Sequence, residues 1–384
     1  MPESQPTKPN IAIIGAGPSG LTLSNILHRF GISATVFEKD PDAEARKTEG
    51  GCLDLSLDGG QAAIKKAGIF DEFKKHARYD AQAVKIMDRY GNVHASSEGM
   101  DTERPEIDRA SLRQILLDSL PETSIKWGYN LKYVEDDGTL HFEKSTPQRF
   151  DLVVGGDGAW SKVRNTLTTV SPFYSGVTVY ESQYKDPDST HPDISALVGP
   201  GTLFALGDET GVGMLVQRQG DRSIRLYAYI RHSVEWDAGI DWKNPVAARE
   251  VMSKWFEGWE PKLRNIATSF KEPVRVRKLY MLPVGIRWPH NSKVALIGDA
   301  AHVMTPFEGE GANAAMRDAL MLANAIIDNQ EDIPRAIRDY EQAMWDIGEE
   351  KQMETWRTLQ RTFDVGGTGY IASRFAPAPA DVKA

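Results

Sequence analysis

The chain has 384 residues, with 45 Lys and Arg against 54 Asp and Glu, and a formal net charge of −9 at pH 7. This length exceeds what one compact core usually serves, so we expect two domains or one domain with a large insertion. The acidic balance argues against a nucleic-acid-binding protein, because binding to phosphate backbones requires clustered positive charge, and the 41% hydrophobic residues exclude a disordered or collagen-like chain.

The cysteine content and the N-terminal segment bear on the cellular compartment in which the protein is expected. The single cysteine, Cys52, cannot form an intramolecular disulfide, so the fold does not depend on an oxidising environment. No run approaches the roughly 18 apolar residues that would predict a membrane span, and residues 1–9 are polar, without the pattern of a signal peptide. We therefore expect a cytoplasmic protein that does not bind membranes, with a flexible tail at residues 1–9.

The first predicted elements are a β-strand, a turn and an α-helix. Residues 10–15 are a β-branched run, which is typical of a strand buried in a parallel sheet. The turn Gly15-Ala-Gly-Pro-Ser-Gly20 follows, and apolar residues then recur at helical spacing over 21–30, before Gly31 as a helix stop. A second apolar run over 34–38 completes a β-α-β unit.

This turn predicts a dinucleotide site. Gly15 permits the tight turn, Gly17 lets the backbone approach a pyrophosphate, and Gly20 allows close packing of helix and strand. The helix N-terminus offers N–H groups and a partial positive charge, to which Ser19 can add a hydroxyl donor. Glu38, at the end of the second strand, can accept two hydrogen bonds from a ribose diol. The flanking strand and helix disfavour the alternative of a fortuitous glycine-rich loop.

Two later apolar runs, residues 150–156 and 293–298, are predicted strands of the same sheet. Each ends in glycine and is followed by an acidic residue, Asp157 or Asp299. Because ligands gather at the carboxyl ends of strands in doubly wound sheets, both Gly-Asp steps are candidate site residues. For Asp299 the alternative is an N-cap of the helix that follows.

Residues 174–273 have the pattern of a second, largely antiparallel sheet. Turn residues separate strand-like runs, and a helical stretch over 245–259 follows them. Residues 81–96 can add one or two strands. The predicted strands lie at 180–184, 202–206, 213–217 and 224–231.

The C-terminal part of the chain is helical in pattern. Pro334 can begin a long helix. The apolar residues that follow share one face, namely Ile337, Tyr340, Met344 and Ile347. The helix is predicted over 334–364, and residues 376–384 are a predicted flexible tail.

Three motifs together resemble one enzyme family. With the turn at residues 15–20, the segments Gly155-Gly-Asp157-Gly-Ala-Trp-Ser161-Lys-Val-Arg164 and Gly298-Asp299-Ala-Ala-His302-Val-Met-Thr-Pro306 resemble the fingerprints of the single-component flavin aromatic hydroxylases, the class A flavoprotein monooxygenases. The resemblance extends roughly over residues 10–363. Within this family the stretches 44–46, 50–54, 105–113 and 306–311 look most like the tetracycline destructases.

The resemblance implies a fold class and a domain organisation. The fold class is α/β, with a Rossmann-like FAD-binding domain, an inserted antiparallel β-sheet substrate domain and a long C-terminal helix. The implied FAD-binding domain is discontinuous and comprises residues 10–80, 97–173 and 274–330. The implied substrate domain comprises residues 81–96 and 174–273, and the helix over 334–364 braces the two.

The resemblance also implies which residues bind the cofactors. Asp299 would hold the flavin ribityl hydroxyls, and the loop 306–311 would lie against the isoalloxazine. The helix that follows would direct its positive end at the flavin. Arg109 resembles the family arginine that reaches the FAD phosphates, and Asp54 the residue near the flavin ring. The full predicted set is Gly15, Gly17, Ser19, Gly20, Glu38, Lys39, Arg46, Asp54, Arg109, Arg113, Leu131, Asp157, Arg164, Asp299, Pro306, Gly309, Gly311 and Ala312.

Structural alternatives stay open for several of these residues. Arg46, which resembles a residue at the mouth where both cofactors pass, can instead be a surface ion-pair partner, and the same holds for Arg109 and Arg113. Asp157 and Arg164 resemble residues that serve both FAD and NADPH, but either can instead hold loop structure.

The predicted substrate residues lie on the inserted sheet and on the loop 306–311. A slip of one residue in register would move the sheet residues to the other face, and Phe204 and Met214 can instead be ordinary core. The sequence departs from the destructases, which present a Gln and an Arg where this chain has Glu181 and Thr202, and Glu310 replaces a Gln. The full predicted set is Glu181, Thr202, Phe204, Met214, Pro306, Phe307 and Gly309.

These observations predict an FAD-dependent, NADPH-consuming monooxygenase. It would use dioxygen, through a flavin C4a-hydroperoxide, to hydroxylate a polycyclic or phenolic small molecule, and tetracycline antibiotics are one candidate substrate. We predict no catalytic side chain, because the cofactor carries the difficult step. We predict no metal site, because HxxxH and Cys/His clusters are absent from the sequence. We expect a monomer.

Other functions stay open. Within the same fold, the chain can be a phenol- or salicylate-type hydroxylase. From another class, it can be a non-catalytic flavoprotein that sequesters a hydrophobic ligand. A flavin halogenase is disfavoured because no second tryptophan-rich signature is evident, and a plain NAD-dependent dehydrogenase would explain neither Gly-Asp step.

Overall fold

The computed structural model describes residues 9–46, 50–79, 82–98, 103–236 and 239–375, so the two predicted tails lie almost wholly outside the described residues. Its strands, in chain order, are β1 Ile11–Ile14, β2 Ala34–Glu38, β3 Cys52–Asp54, β4 Val84–Asp88, β5 Val93–Ser97, β6 Glu106–Asp108, β7 Ile125–Trp127, β8 Leu131–Val134, β9 Thr139–Phe142, β10 Gln148–Arg149, β11 Leu152–Gly155, β12 Phe173–Tyr184, β13 Thr202–Leu206, β14 Val212–Arg218, β15 Ile224–Arg231, β16 Arg275–Met281 and β17 Val294–Leu296.

The helices complete the set of regular elements. In chain order they are α1 Pro18–Arg29, α2 Gly60–Ala67, α3 Phe70–His76, α4 Arg109–Asp118, α5 Arg164–Leu167, α6 Pro187–Thr190, α7 Pro192–Val198, α8 Pro245–Trp255, α9 Pro261–Thr268, α10 Asp299–His302, α11 Gly311–Asp328, α12 Ile333–Thr362 and α13 Gly367–Phe375. Within the described residues, no helix is both long enough and apolar enough to cross a membrane.

The chain divides into two compact units. Unit 1 comprises Met1–Ala77, Ile107–Phe173 and Tyr280–Trp356. Unit 2 comprises Arg78–Glu106, Tyr174–Leu279 and Arg357–Ala384. Each unit therefore contains three separate stretches of the chain.

Unit 1 is built on a five-stranded parallel sheet in the order β17-β11-β1-β2-β7. Every residue of β1 is buried, as expected for a central strand of a sheet that is covered on both faces. Leu23 and Ile26 of α1 and Leu322 of α11 belong to the same core. Because all five strands run parallel, the carboxyl ends of β1, β11 and β17 lie side by side, where the glycine-rich turn and both Gly-Asp steps follow.

Unit 2 is built on a seven-stranded sheet in the order β16-β12-β15-β14-β13-β4-β5. β13 pairs in parallel with β4, whereas the pairs β12–β15, β15–β14, β14–β13 and β4–β5 are antiparallel. Residues of α7, α8 and α9, including Met252 and Leu263, form a core with one face of this sheet. On the other face, Ile371 and Ala372 of α13 pack against Ile86 and Leu206.

The predicted fold class is confirmed, with local differences. The helical stretch predicted over 245–259 is a shorter helix, α8, that ends at Trp255. Gly258 adopts φ +76°, and a second helix, α9, which was not predicted, begins at Pro261. Glu260 caps α9 by accepting a hydrogen bond from the Leu263 N–H (3.0 Å). The long helix α12 begins at Ile333, one residue before Pro334, and extends over 30 residues.

Candidate functional site

The glycine-rich turn brings the three motifs of unit 1 together. Gly15 adopts φ +106°, and a Cβ there would lie 2.4 Å from the Gly156 carbonyl oxygen. A Cβ on Gly20 would lie 2.1 Å from the Gly15 carbonyl oxygen. A Cβ on Gly298 would lie 3.3 Å from Ser19 Oγ. The turn, the Gly156-Asp157 step and the Gly298-Asp299 step are therefore in direct contact at one edge of the sheet.

Gly17 differs from its neighbours in the turn. A Cβ on Gly17 would meet no atom of the described residues within 4 Å, so packing among those residues does not require glycine at this position. Gly17 is also the N-cap of α1, and no side chain caps that helix end. The uncapped N–H groups and the helix dipole favour an anion here. These features fit the pyrophosphate of a dinucleotide.

Glu38 is held beside the turn by backbone hydrogen bonds. Its Oε2 accepts from the Ala16 N–H (2.6 Å) and its Oε1 from the Asp40 N–H (3.0 Å), and the residue is buried. Arg46 lies with Nε 2.6 Å from Asp40 Oδ2 and Nη2 3.9 Å from Glu38 Oε1. The ion-pair alternative for Arg46 therefore agrees with the structure. Lys39 is exposed.

Arg113 presents a buried donor near this carboxylate. Its Nη1 donates to the Ala43 carbonyl oxygen (2.7 Å), and its guanidinium lies 5.5 Å from the centre of the Trp127 ring. Nη2 is buried and has no hydrogen-bond partner among the described residues. Burial lowers the pKa of Arg113, although the charge of Glu38 opposes the shift. A buried unpaired donor fits a residue that hydrogen-bonds a cofactor.

Asp299 lies at the carboxyl end of β17 in unit 1. It is the first residue of α10, directly after Gly298, whose φ is +62°. The side chain keeps contact with solvent, yet the protein that surrounds it raises the pKa of Asp299, against the nearby charges of His302 and Arg109. The N-cap position belongs to Gly298 and no side chain caps α10, so the N-cap alternative for Asp299 is wrong.

Arg109 is the first residue of α4 and is exposed. Its N–H donates to the Gly51 carbonyl oxygen (3.0 Å), and a Cβ on Gly50, which adopts φ +98°, would lie 2.6 Å from Arg109 Cδ. The chain at Gly50 therefore passes directly against the Arg109 side chain. Because the charge of Arg109 also acts on Asp299, both predicted cofactor residues lie in one region of unit 1.

The loop 306–311 meets Asp54 at the start of α11. Its residues Pro306–Glu308 form a short 3-10 helix that contains Phe307. Gly309 follows with φ +68°, and a Cβ there would lie 3.5 Å from Asp54 Oδ1. α11 begins at Gly311, one residue before the expected Ala312, and no side chain caps its N-terminus. This helix end can therefore stabilise negative charge.

Asn313 is a residue of this site that the sequence analysis missed. It is fully buried in the first turn of α11. Its Oδ1 accepts from the N–H groups of Ser56 (2.8 Å) and Gly60 (3.2 Å), and its Nδ2 donates to the Asp54 carbonyl oxygen (2.9 Å). Asn313 thus fixes Asp54 beside the start of α11. An asparagine two residues after Gly311 was the one available signal in the sequence.

Two predicted cofactor residues, Asp157 and Arg164, lie in the segment that follows β11. Arg164 is buried, with Nη1 donating to the Ala300 carbonyl oxygen (2.9 Å) and Nη2 to that of Ala159 (2.7 Å). These contacts support the alternative that Arg164 holds this loop against α10, whereas its role as a cofactor contact stays a prediction. Burial raises the pKa of Asp157, although its Oδ2 accepts from the Lys162 N–H (2.8 Å). Leu131 is a buried residue of β8.

His302 and Asp318 form a buried pair next to the Gly298-Asp299 step. His302 Nε2 lies 2.7 Å from Asp318 Oδ2, which also accepts from the Gly298 N–H (2.7 Å). Burial disfavours the charged imidazole, but the charge of Asp318 and the hydrogen bond outweigh it and raise the pKa of His302. The pair holds the backbone turn that carries Asp299.

We expect the His302–Asp318 pair to stabilise the protein most at low pH. Because the folded-state pKa of His302 is raised, its contribution is complete below the unfolded pKa of about 6.5 and is lost as the pH rises through the folded-state value. The difference in free energy of unfolding between wild type and His302→Gln should therefore shrink as the pH rises. Urea titrations at constant FAD concentration measure it. His28→Gln, at an exposed position of α1, is the control, and a difference that grows with pH would contradict this assignment.

Register in unit 2 places three of the four predicted sheet residues on one face. Glu181 lies opposite Tyr227, Thr202 opposite Gln217 and Phe204 opposite Leu215. Directly opposed residues share a face and alternate along each strand, so Glu181, Thr202 and Phe204 share a face. We call this the Glu181 face.

The placement of Met214 on the pocket face was wrong. Met214 lies opposite Ala205 and Ala228, on the face that α7, α8 and α9 cover. It is fully buried there, which agrees with the core alternative. Phe204 also packs against a helix, because its ring centre lies 5.9 Å from that of Phe375 in α13. At this end of the sheet, α13 thus covers the Glu181 face.

Comparison with known proteins identifies the family. Residues 8–332 match a family described as the FAD binding domain. The chain belongs to this family. It is 28% identical to the monooxygenase asqM of Emericella nidulans, over 95% of this chain and 98% of that protein. It is 29% identical to 3-amino-4-hydroxybenzoate 2-monooxygenase PtnB3 of Streptomyces platensis, over 87% of this chain and 84% of that protein.

A solved structure supports the fold assignment. The tetracycline destructase Tet(51) superposes with a TM-score of 0.68 over 96% of both chains, and the two sequences are 18% identical. At this identity the similarity shows the fold alone. The predicted family, the FAD cofactor and the enzyme class, an FAD-dependent oxidoreductase of the monooxygenase type, are confirmed.

Proposed function

We propose that the chain is an NADPH-consuming monooxygenase that uses FAD and dioxygen to hydroxylate a phenolic or polycyclic small molecule. The main observation in support is that unit 1 contains the turn at Gly17, the Gly298-Asp299 step in contact with that turn, and the uncapped start of α11. Each offers what one part of FAD requires. The absence of a second glycine-rich dinucleotide fingerprint in the sequence agrees with transient NADPH binding.

In this proposal unit 1 holds FAD through its own residues. The turn at Gly17 and the start of α1 bind the pyrophosphate, Glu38 accepts from the ribose hydroxyls, and Asp299 accepts from the ribityl hydroxyls. The loop 306–311 and the start of α11 lie at the isoalloxazine, where the helix dipole stabilises negative charge. When bound, FAD supplies the redox chemistry, taking electrons from NADPH and activating dioxygen.

We propose that unit 2 provides the substrate-binding surface, on the Glu181 face. The face combines half-buried aromatic side chains, Tyr227 and Tyr229, with polar groups at Glu181, Arg225 and Gln217. Such a surface fits an aromatic molecule with polar substituents. Burial, together with Tyr227 and Glu181, raises the pKa of Tyr229, so that phenol stays neutral near pH 7.

Two substrate classes are candidates. Tetracyclines are suggested by the fold shared with Tet(51), although Glu181 and Thr202 differ from the Gln and Arg that the destructases present. Hydroxylated aromatic acids are suggested by PtnB3, whose name gives an aminohydroxybenzoate as its substrate. Both classes carry an oxygen attached to an electron-rich ring or enol, which is the chemistry that the proposed reaction requires.

The test is NADPH oxidation by the FAD-loaded protein in the presence of tetracycline, hydroxybenzoates and simple phenols. We expect one class to accelerate NADPH oxidation above the basal rate and to yield a hydroxylated product by mass spectrometry. Binding of a ligand without any acceleration would instead support the alternative of a non-catalytic flavoprotein. Acceleration by phenols but not by tetracycline would exclude tetracycline as a substrate and leave the monooxygenase assignment intact.

A further inference from the structure

The carboxylate of Glu181 accepts hydrogen bonds from two arginines of unit 2. Its Oε1 accepts from Arg225 Nη1 (2.6 Å), and its Oε2 accepts from Arg277 Nε (2.7 Å). The carboxylate is only 7% exposed. Since each carboxylate oxygen already receives a short, charge-assisted hydrogen bond, Glu181 is suited to holding the two arginines rather than to binding substrate directly.

The group of one carboxylate and two guanidiniums carries an excess positive charge. Arg225 comes from β15, Arg277 from β16 and Glu181 from β12, and all three belong to unit 2. The contacts with Glu181 place both arginines on the Glu181 face. A buried carboxylate beside a single cation would be neutral as a pair, so the second arginine adds a positive charge that favours an anion.

Arg277 is the arginine that can reach a ligand. Its side chain is 45% exposed, against 17% for Arg225. It contacts Glu181 through Nε, and in the described part of the chain no hydrogen bond engages its Nη1 or Nη2. A guanidinium that is fixed at Nε presents its two terminal amino groups in the planar arrangement that matches a carboxylate or a similar pair of oxygens.

We propose that Arg277 anchors the substrate through an anionic oxygen, with Glu181 as the residue that positions Arg277. This inference rests on the proposed function, because it names the substrate class of the same surface. The ligand is an aromatic or polycyclic molecule that carries a carboxylate or an ionised enol or phenol. The half-buried rings of Tyr227 and Tyr229 on the same face supply the apolar contact for its ring.

The test compares probes that differ in charge. Isothermal titration calorimetry of the FAD-loaded protein measures the affinity for 4-hydroxybenzoate, a carboxylate, for tetracycline, an ionised enol, and for 4-hydroxybenzamide, the neutral match of the first. We expect at least one anionic probe to bind wild type more tightly than the amide. Arg277→Gln should weaken binding of that probe about 10- to 100-fold, the effect of losing charged hydrogen bonds, and should leave the amide unchanged.

Matched variants separate anchoring from folding. Arg277→Lys keeps the charge without the planar fork, and we expect an intermediate loss. Glu181→Gln should also weaken the anionic probe, because it releases Arg277. Arg222→Gln removes an exposed arginine of unit 2 that pairs with Asp188, and it should leave binding of all probes unchanged. Circular dichroism should show the same folded content for each variant.

Defined outcomes would overturn the proposal. The proposal is wrong if wild type binds anionic and neutral probes equally, or if it binds neither anionic probe. It is also wrong if Arg277→Gln weakens the binding of every probe equally. Ligand-stimulated NADPH oxidation that Arg277→Gln leaves unchanged would refute the anchor and keep the monooxygenase. Arg277-dependent binding of an anion without any stimulated NADPH oxidation would keep the anchor and refute the proposed function.

Discussion

Replacing Gly17 with alanine should weaken FAD binding strongly while the apoprotein stays folded. In the part of the chain that the structure describes, no atom lies within 4 Å of a Cβ at this position, so the Cβ would enter the space that the proposed pyrophosphate would take. Overpacking of this kind costs about 1–3 kcal/mol, which corresponds to a roughly 5- to 150-fold weaker affinity. The measurement is the dissociation constant for FAD from the quenching of flavin fluorescence by apoprotein.

The control for this prediction is the same substitution at another glycine, Gly369. Gly369 of α13 also has no atom of residues 9–46, 50–79, 82–98, 103–236 or 239–375 within 4 Å of an added Cβ, and it is exposed and belongs to unit 2. Gly369→Ala should leave FAD affinity unchanged, and the free energy of unfolding of apo Gly17→Ala should stay within about 1 kcal/mol of wild type. Wild-type FAD affinity in Gly17→Ala would show that the turn does not bind the pyrophosphate.

Asp299→Ala should yield protein that is purified largely without flavin. In the proposal its carboxylate accepts hydrogen bonds from the ribityl hydroxyls, and hydrogen bonds to a charged group are worth about 1.5–3 kcal/mol. The expected loss of FAD affinity is therefore roughly 10- to 150-fold. Because the surrounding protein desolvates the partly exposed carboxylate and raises the pKa of Asp299, FAD binding by wild type should also weaken as the pH falls through that raised value.

The control for Asp299→Ala is another acidic residue of unit 1. Asp58 is exposed, and it pairs with Arg317 at 2.7 Å. Asp58→Ala removes a carboxylate from an ion pair whose contribution is small at the surface, and FAD retention should match wild type. If purified Asp299→Ala contained as much flavin as wild type and Asp58→Ala, the ribityl role of Asp299 would be refuted.

Local features of the fold could be predicted from the sequence because their causes are local. β1, the turn at Gly15 and α1 follow from a β-branched run, glycines at fixed offsets and helical spacing of apolar residues within about 20 positions. The two Gly-Asp steps were predicted because each directly follows an apolar strand. The end of α8 at Trp255 and the helix α9 were missed, although Gly258 and Pro261 are ordinary signals for a helix end and a helix start.

Features that depend on distant pairing could not be predicted in the same way. Met214 was misplaced because strand residues alternate between faces, so an error of one position reverses the assignment. The partners of Asn313 lie more than 250 positions earlier in the chain. Glu181 and Arg277 are 96 positions apart and meet only because β12 and β16 are neighbours in the sheet. For Arg164, the motif left two roles open, and its hydrogen bonds to the Ala159 and Ala300 carbonyl oxygens support the structural one.

The central claim is that the FAD-loaded protein transfers one atom of dioxygen to an organic substrate at the expense of NADPH. Turnover under isotopically labelled dioxygen, with a ligand that accelerates NADPH oxidation, tests this claim most directly. We expect mass spectrometry to show one labelled oxygen atom in the product. A product that carries oxygen from water, or NADPH consumption with the label recovered only in hydrogen peroxide for every ligand, would contradict it.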